Sequence, residues 1–150
     1  MGTLNYSTTV PMARTVGEIQ DILARAGADA VGTRYENRRP VGVSFMLNTA
    51  AGVASFTLPV NVDAVHKLLV QQHAAGQLGK QVSKAVLTSR EHAERVAWRV
   101  AKDWLVAQLA LVEAGMATLD QVMLPYLTTG EGRTLYDDYR VKALRAADRG

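Results

Sequence analysis

One helical segment constrains the fold more than any other feature of this chain. It begins at Thr88 or Ser89 and can continue to Ala114, which gives a length of roughly 38 Å at about 1.5 Å per residue. Its first half is amphipathic, whereas Trp104–Val112 contains no charged residue and is apolar on nearly every side. A helix that is apolar all round needs several partners. The sequence therefore predicts that the second half lies among other elements or in an interface between copies of the chain.

The residues after this helix predict a tight helical hairpin. Gly115 follows the last helical residue, and Thr118 with Gln121 has the spacing of a capping box that begins a short second helix. Pro125 ends that helix because proline cannot continue a helical turn. Beyond a segment rich in turn residues, the apolar spacing from about Leu135 to Ala147 predicts a terminal amphipathic helix.

The first half of the chain predicts the order β-α-β-β-β-α. Alternating apolar residues indicate strands with one buried face, and short polar segments between them indicate hairpins. Thr15 and Glu18 have capping-box spacing, and Gly27 stands where a left-handed helix cap is expected. The predicted elements are a strand at Leu4–Val10, a helix from Thr15 to Gly27, strands at Ala28–Glu36, Val41–Leu47 and Val53–Leu58, and a helix from Asn61 to His73.

The fold class that follows is α+β. A chain of 150 residues has the usual size of one domain with its own core. We expect a sheet subdomain at residues 1–75, a linker at 76–88 and a helical subdomain at 89–150, packed together as one unit.

Composition excludes several classes of function. The chain has no cysteine, so disulfides, thiolate zinc sites and cysteine nucleophiles are ruled out. Its longest apolar run is far shorter than the roughly 20 residues of a membrane-spanning helix, and we expect no membrane association. The net charge of +3 permits an anionic partner without requiring one.

The sequence contains no recognisable catalytic or cofactor-binding motif. His66, His73 and His92 belong to no pattern that marks a metal site or a nucleophile with its base. Gly76-Gln-Leu-Gly79-Lys80 has neither the spacing of a phosphate-binding loop nor a strand before it. We therefore predict a non-enzymatic protein that carries no metal and no cofactor.

A basic hairpin is the candidate site for nucleic acid. Arg34, Arg38 and Arg39, with Tyr35 among them, lie on and beside the predicted turn that joins two strands. Two arginines at a hairpin tip can bracket a phosphate, and an exposed tyrosine can stack on a base. The alternative is that the tip is merely charged and solvated.

The long helix carries the candidate site for protein docking. Trp98 and Trp104 point in directions about 120° apart at about 100° per residue, so both cannot serve one narrow core stripe. Tryptophan and tyrosine beside arginine form good interface anchors. The alternatives are that both indoles belong to the core and that the basic residues are balanced by nearby acids. The predicted docking patch comprises Arg95, Trp98, Arg99, Lys102 and Tyr126.

The same helix carries a resemblance to known proteins. Ala97-Trp98-Arg99, Lys102-Asp103-Trp104, Ala107-Gln108, Gly115-Met116 and Leu124-Pro125-Tyr126 follow a pattern similar to that of a family of small proteins encoded by bacteriophages and prophages. The pattern covers about a fifth of the chain. What the resemblance implies is an origin in a mobile element and a role in early phage functions, and it transfers no catalytic residue.

These observations leave three functions open. The first is a phage accessory factor in the host cytoplasm that docks on a protein of recombination, integration or replication, such as a recombinase. The second is direct binding of DNA or another nucleic acid through the basic hairpin. The third is inhibition of a host defence or polymerase protein. In each case the apolar half of the long helix predicts self-association into a homo-oligomer.

Overall fold

The computed structural model describes residues 10–76 and 89–149, which form an α+β fold as predicted. Five helices accompany a three-stranded and a two-stranded antiparallel sheet in this described part. The predicted strand Leu4–Val10 and the predicted linker at 76–88 lie almost entirely outside it. The helices are α1 (Met12–Arg25), α2 (Val62–Ala74), α3 (Arg90–Glu113), α4 (Leu119–Met123) and α5 (Leu135–Arg149), and the strands are β1 (Ala30–Glu36), β2 (Arg39–Thr49), β3 (Gly52–Pro59), β4 (Thr128–Gly130) and β5 (Arg133–Thr134).

The larger sheet has the order β1-β2-β3, so β2 is central. Alternate residues of β2 and β3 face the core, where the rings of Phe45 and Phe56 stack with centroids 5.4 Å apart. Gly42 lies on the other face, and a Cβ atom there would stand 2.8 Å from the carbonyl oxygen of Leu58. Glycine at this position therefore lets β2 and β3 approach closely.

The first hairpin is tighter than the sequence predicts. Only Asn37 and Arg38 form the turn, with φ angles of 50° and 65°. Positive φ at both central residues is the requirement of a type I′ turn, whose twist matches that of the flanking strands. Pro40 is thus part of the central strand, and it is tolerated because the register shifts at its partner Tyr35, where a bulge interrupts the ladder.

Helix α1 begins earlier than predicted. Its first residue is Met12, after Pro11, and Thr15 lies inside the helix at 1% exposure. The predicted capping box of Thr15 with Glu18 is therefore wrong, because Pro11 occupies the N-cap position and Thr15 is the fourth residue of the helix. Gly27 has a φ of 109°, which confirms the predicted cap at the other end.

Helices α2 and α3 match their predicted positions closely. The side chain of Asn61 accepts a hydrogen bond from the backbone of Ala64 at 3.0 Å, and Ser89 does the same for His92 at 3.1 Å. Helix α3 packs against both α1 and α2 and contributes Trp98 to the same core as the sheet. None of the described helices has the length and apolar character needed to cross a membrane.

The C-terminal segment contains a small hairpin that the sequence reasoning missed. Thr118 and Gln121 form the predicted capping box, and the chain continues through a 3₁₀ turn at Leu124–Tyr126. Strands β4 and β5 follow where only turns were expected. The hairpin adjoins β3, because Leu127 forms a β-bridge with Phe56. Helix α5 follows β5 directly and has no buried residue.

We predict that Arg38→Gly stabilises the protein. Arginine in the left-handed region is strained by roughly 1 kcal/mol, and Asn-Gly is the preferred pair for this turn. The free energy of unfolding, measured by urea denaturation, should rise by up to about 1 kcal/mol. Arg34→Gly, in the adjoining strand, is the control and should lower it. A lower stability for Arg38→Gly would contradict the turn geometry.

Candidate nucleic-acid interface

The cations predicted to form a docking patch on α3 are held in ion pairs. Each has a carboxylate partner on its own helix or on α1, so little of its charge is available to an external ligand. The pairs are Arg95 with Glu91 at 3.3 Å, Arg99 with Asp103 at 3.2 Å, and Lys102 with Glu18. The Lys102 ammonium donates a hydrogen bond to Glu18 and thereby lowers the pKa of that carboxyl group.

Trp98 is completely buried, so the prediction that it anchors an exposed docking patch is wrong. The helix rotation between the two indoles gives their relative direction but not which of them points at the sheet. Trp104 is half-buried, and Tyr126 packs edge-on against it with centroids 5.6 Å apart. The aromatic residues of the predicted patch thus support the packing of α3.

Arg39 is the second predicted site residue that the structure assigns to an internal role. Its Nε donates to Glu94 Oε2 at 2.7 Å, and its Nη2 donates to the other carboxylate oxygen. Glu94 is 3% exposed on α3, so the pair ties the first hairpin to the long helix. The hydrogen bond raises the pKa of Arg39. Releasing Arg39 would leave a buried carboxylate without its cation, so the pair commits this arginine to the fold, and its use as a phosphate contact stays a prediction.

The other residues of the basic hairpin stay accessible. Arg34, Tyr35 and Arg38 are exposed, and neither arginine pairs with an acid in the described part of the chain. The Arg34 guanidinium reaches the turn of the second hairpin, since a Cβ atom on Gly132 would lie 4.0 Å from its Nη2. Arg34 therefore adjoins the C-terminal part of the molecule.

A row of cations on α5 completes this surface. Lys142, Arg145 and Arg149 follow one another at intervals of three and four residues, so they lie on one helix face. All three are exposed, and none has an ion-pair partner among the described residues. Lys142 and Arg145 line a cleft of about 620 Å³ together with Arg133 and Thr129. We call Arg34, Arg133, Lys142, Arg145 and Arg149 the basic surface.

One carboxylate, that of Asp138, lies within the basic surface. Its negative charge is neutralised by an ion pair with Arg133. The hydroxyl of Thr129, followed by Arg133 and Lys142, lowers the pKa of Asp138. Asp138 therefore stays ionised at neutral pH and cancels most of the charge of Arg133, which leaves the Arg34 and α5 cations as the free positive charge.

The sequence carried a signal for the α5 row that was not used. Four of the ten residues from 140 to 149 are basic and one is acidic. The helix is predicted, but composition alone does not separate these cations from the two aspartates of its first turn. One of those aspartates, Asp137, accepts a hydrogen bond from the backbone of Thr134 at 2.9 Å and so holds the start of the helix.

An apolar groove lies on another side of α5. It has a volume of about 470 Å³ and is lined by Leu124, Pro125, Leu135, Tyr136 and Tyr139. Tyr136 is 51% exposed and Tyr139 is 66% exposed. Leu124 and Pro125 belong to the 3₁₀ turn that follows α4. None of the residues of the predicted docking patch lines this groove.

Within residues 10–76 and 89–149, no three histidine, aspartate or glutamate side chains are grouped so that they could hold a metal ion. Comparison with protein-family models, with curated proteins and with solved structures gave no match. The case for function therefore rests on the two surfaces of α5 and the hairpin beside it.

We predict that Arg39→Ala lowers stability. Because the exposed fraction of Arg39 is 53% and water reaches its guanidinium, the loss of unfolding free energy should be about 1–2 kcal/mol, below that of a fully buried pair. Urea denaturation measures it. Arg38→Ala, which removes an unpaired neighbour, should change stability by less than about 0.5 kcal/mol. Equal stability of Arg39→Ala and the unmodified protein would show that the pair contributes nothing.

Proposed function

We propose that this protein is a non-enzymatic accessory factor of a DNA transaction and that it binds nucleic acid through the basic surface. The observation that carries the proposal is the row Lys142, Arg145 and Arg149, which is exposed and forms no ion pair in the described chain. Cations that are already neutralised by their own carboxylates gain little from a phosphate, whereas these three lose only water and counterions.

The surroundings of the row suit a single strand or an irregular nucleic acid. Tyr139 lies at the edge of the same cleft, and Tyr35 stands beside Arg34, so each side of the basic surface has an exposed ring. Nucleic acid without regular pairing is bound by cations that follow the backbone and by aromatic rings that stack on bases. The hydroxyl of Thr129 adds a further polar group to the cleft.

The resemblance of Ala97–Leu127 to phage and prophage proteins supports the biological setting. It favours an early phage function in the cytoplasm of a bacterial host, where recombination, integration and replication all expose single-stranded DNA. The modest net charge of +3 supports an accessory role, because a protein that coats DNA alone generally needs a larger excess. The basic surface then contributes part of the affinity for DNA of a complex that also contains other proteins.

We predict that Lys142→Ala with Arg145→Ala weakens binding of a labelled single-stranded oligonucleotide about tenfold at low salt. Fluorescence anisotropy at increasing potassium chloride gives the affinity and its salt dependence. The slope of log K against log salt should fall by about 1 to 2, since each phosphate contact on a single strand contributes about 0.7.

The matched control is Lys67→Ala with Arg140→Ala. It removes the same charge, and Arg140 lies on α5 but on a different face from the basic row. The control should retain the slope of the unmodified protein. Equal losses in both double variants would mean that binding follows net charge alone, and absence of any binding to the oligonucleotide would overturn the proposed function.

Protein docking is the second candidate, and the exposed groove beside Tyr136 favours it. Aromatic side chains that line an apolar depression are common anchors of protein interfaces. The partner would be a recombinase or replication protein in an accessory role, or a host defence or polymerase protein in an inhibitory one. The groove and the cleft beside Lys142 and Arg145 share Leu135 and Tyr139, so one partner complex could use both.

We predict that Leu124→Ser with Tyr136→Ser abolishes capture of a protein partner from phage-infected lysate. The capture uses tagged protein with nuclease treatment, so that partners held only by nucleic acid are removed. Met116→Ser is the control, because Met116 is 72% exposed away from the groove. Capture that disappears with nuclease in the unmodified protein would refute docking and favour direct binding of nucleic acid.

A further inference from the structure

Two depressions on the surface of α5 are continuous with each other. The apolar groove of about 470 Å³ and the cleft of about 620 Å³ that contains Lys142 and Arg145 share Leu135 and Tyr139 along their border. Helix α5 has no buried residue, so neither depression is covered by the rest of the described chain. A ligand that occupies both must be apolar in one part and anionic in the next.

The lining of the groove favours an apolar side chain over a nucleobase. Leu124, Pro125 and Leu135 line it, and none of these side chains has a hydrogen-bond donor or acceptor. The polar edge of a base would lose water against them without gaining a partner, which costs free energy. A leucine or phenylalanine side chain loses no hydrogen bond in the same place, and the rings of Tyr136 and Tyr139 can pack against it.

The cleft favours a ligand with negative charge beside its apolar part. Lys142 and Arg145 are exposed and form no ion pair in the described chain, whereas the carboxylate of Asp138 is already paired with Arg133. At about 1.5 Å per residue, Arg145 lies about 9 Å along the helix from Tyr139. An extended peptide spans that distance in roughly three residues. The ligand should therefore carry acidic residues within about three positions of its apolar residue.

The segments of this chain that lie outside the described residues do not provide such a ligand. Residues 1–9 and 77–88 contain no aspartate and no glutamate. Neither segment can therefore complement the charge of the cleft. The chemistry of the site points instead to a segment of another protein.

We propose that the groove and the cleft of α5 together bind an acidic peptide segment of another protein. A leucine or aromatic side chain of the peptide occupies the groove, and its carboxylates pair with Lys142 and Arg145. The proposal rests on the docking role proposed for the groove and names the chemistry of the partner. Because the carboxylates use the same cations as a phosphate backbone, the peptide and an oligonucleotide should compete for the protein.

A fluorescent ten-residue peptide, in which a Leu-Phe pair stands between two runs of four glutamates, tests this chemistry. Either chain direction then places acids in the cleft, and fluorescence anisotropy should show saturable binding. One control peptide has two serines in place of the pair, and another has glutamines in place of the glutamates. Each should bind at least about tenfold more weakly. Full binding of the serine peptide would show a general anion site, full binding of the glutamine peptide a general apolar one, and either result would overturn the proposal.

Variants of the protein separate the two halves of the site. Leu124→Ser with Tyr136→Ser alters the groove, and Lys142→Ala with Arg145→Ala alters the cleft. Each should weaken binding of the parent peptide about tenfold, and the groove variant should keep its affinity for a single-stranded oligonucleotide. If the groove variant loses affinity for the oligonucleotide as much as for the peptide, the groove takes a base and the peptide is the wrong occupant.

The charge-matched control is Lys67→Ala with Arg38→Ala. These exposed residues lie on α2 and in the turn of the first hairpin, so the control should bind the parent peptide like the unmodified protein. Equal weakening in this control would mean that the peptide follows net charge alone, against the proposal. Absence of peptide binding to the unmodified protein would overturn the acidic partner. Docking itself would still stand if the groove variant then lost capture of a protein from lysate.

Discussion

The burial of one face of α3 holds the described parts of the chain together. Trp98 and Leu105 are completely buried on that face, and the helix packs on α1 and on α2 while sharing one core with Phe45 and Phe56 of the sheet. A side chain of the size of tryptophan contributes a large apolar area when it is enclosed. Because α3 packs against both α1 and α2, its loss from the core would leave these two helices without their main partner.

Ion pairs extend this arrangement from the core to its edge. Arg39 reaches Glu94 across 55 positions of the sequence, and Lys102 reaches Glu18 across 84. The first pair fixes the hairpin of β1 and β2 on α3, and the second fixes α1 on the same helix. Cations that looked available for an external anion are thereby used within the fold. Among the described residues, Arg34 and Arg38 and the cations Arg140, Lys142, Arg145 and Arg149 of α5 have no ion-pair partner, and α5 has no buried residue.

Patterns among neighbouring residues predicted the helices and strands. Contacts between distant parts of the chain determine which candidate site residues are exposed. Alternation in Val41–Leu47 and the caps at Asn61 and Thr118 are features of neighbouring residues, so the sequence alone indicates them. The burial of Trp98 and the partner of Arg39 depend on which segments meet in three dimensions, and no spacing along the chain contains that information. The type I′ turn was missed for a further reason. Asn37-Arg38 lacks the glycine that usually marks such a turn, and the twist of the sheet imposes it instead.

The cations of α5 can serve an external ligand because the fold does not need them. Helix α5 contacts the 3₁₀ turn and the second hairpin, makes no main contact with α3 and has no buried residue. Arg39 and Lys102, by contrast, each hold another element on α3 through an ion pair. A chain with a net charge of only +3 would therefore offer its positive charge where the fold leaves it unpaired, without a larger excess of basic residues.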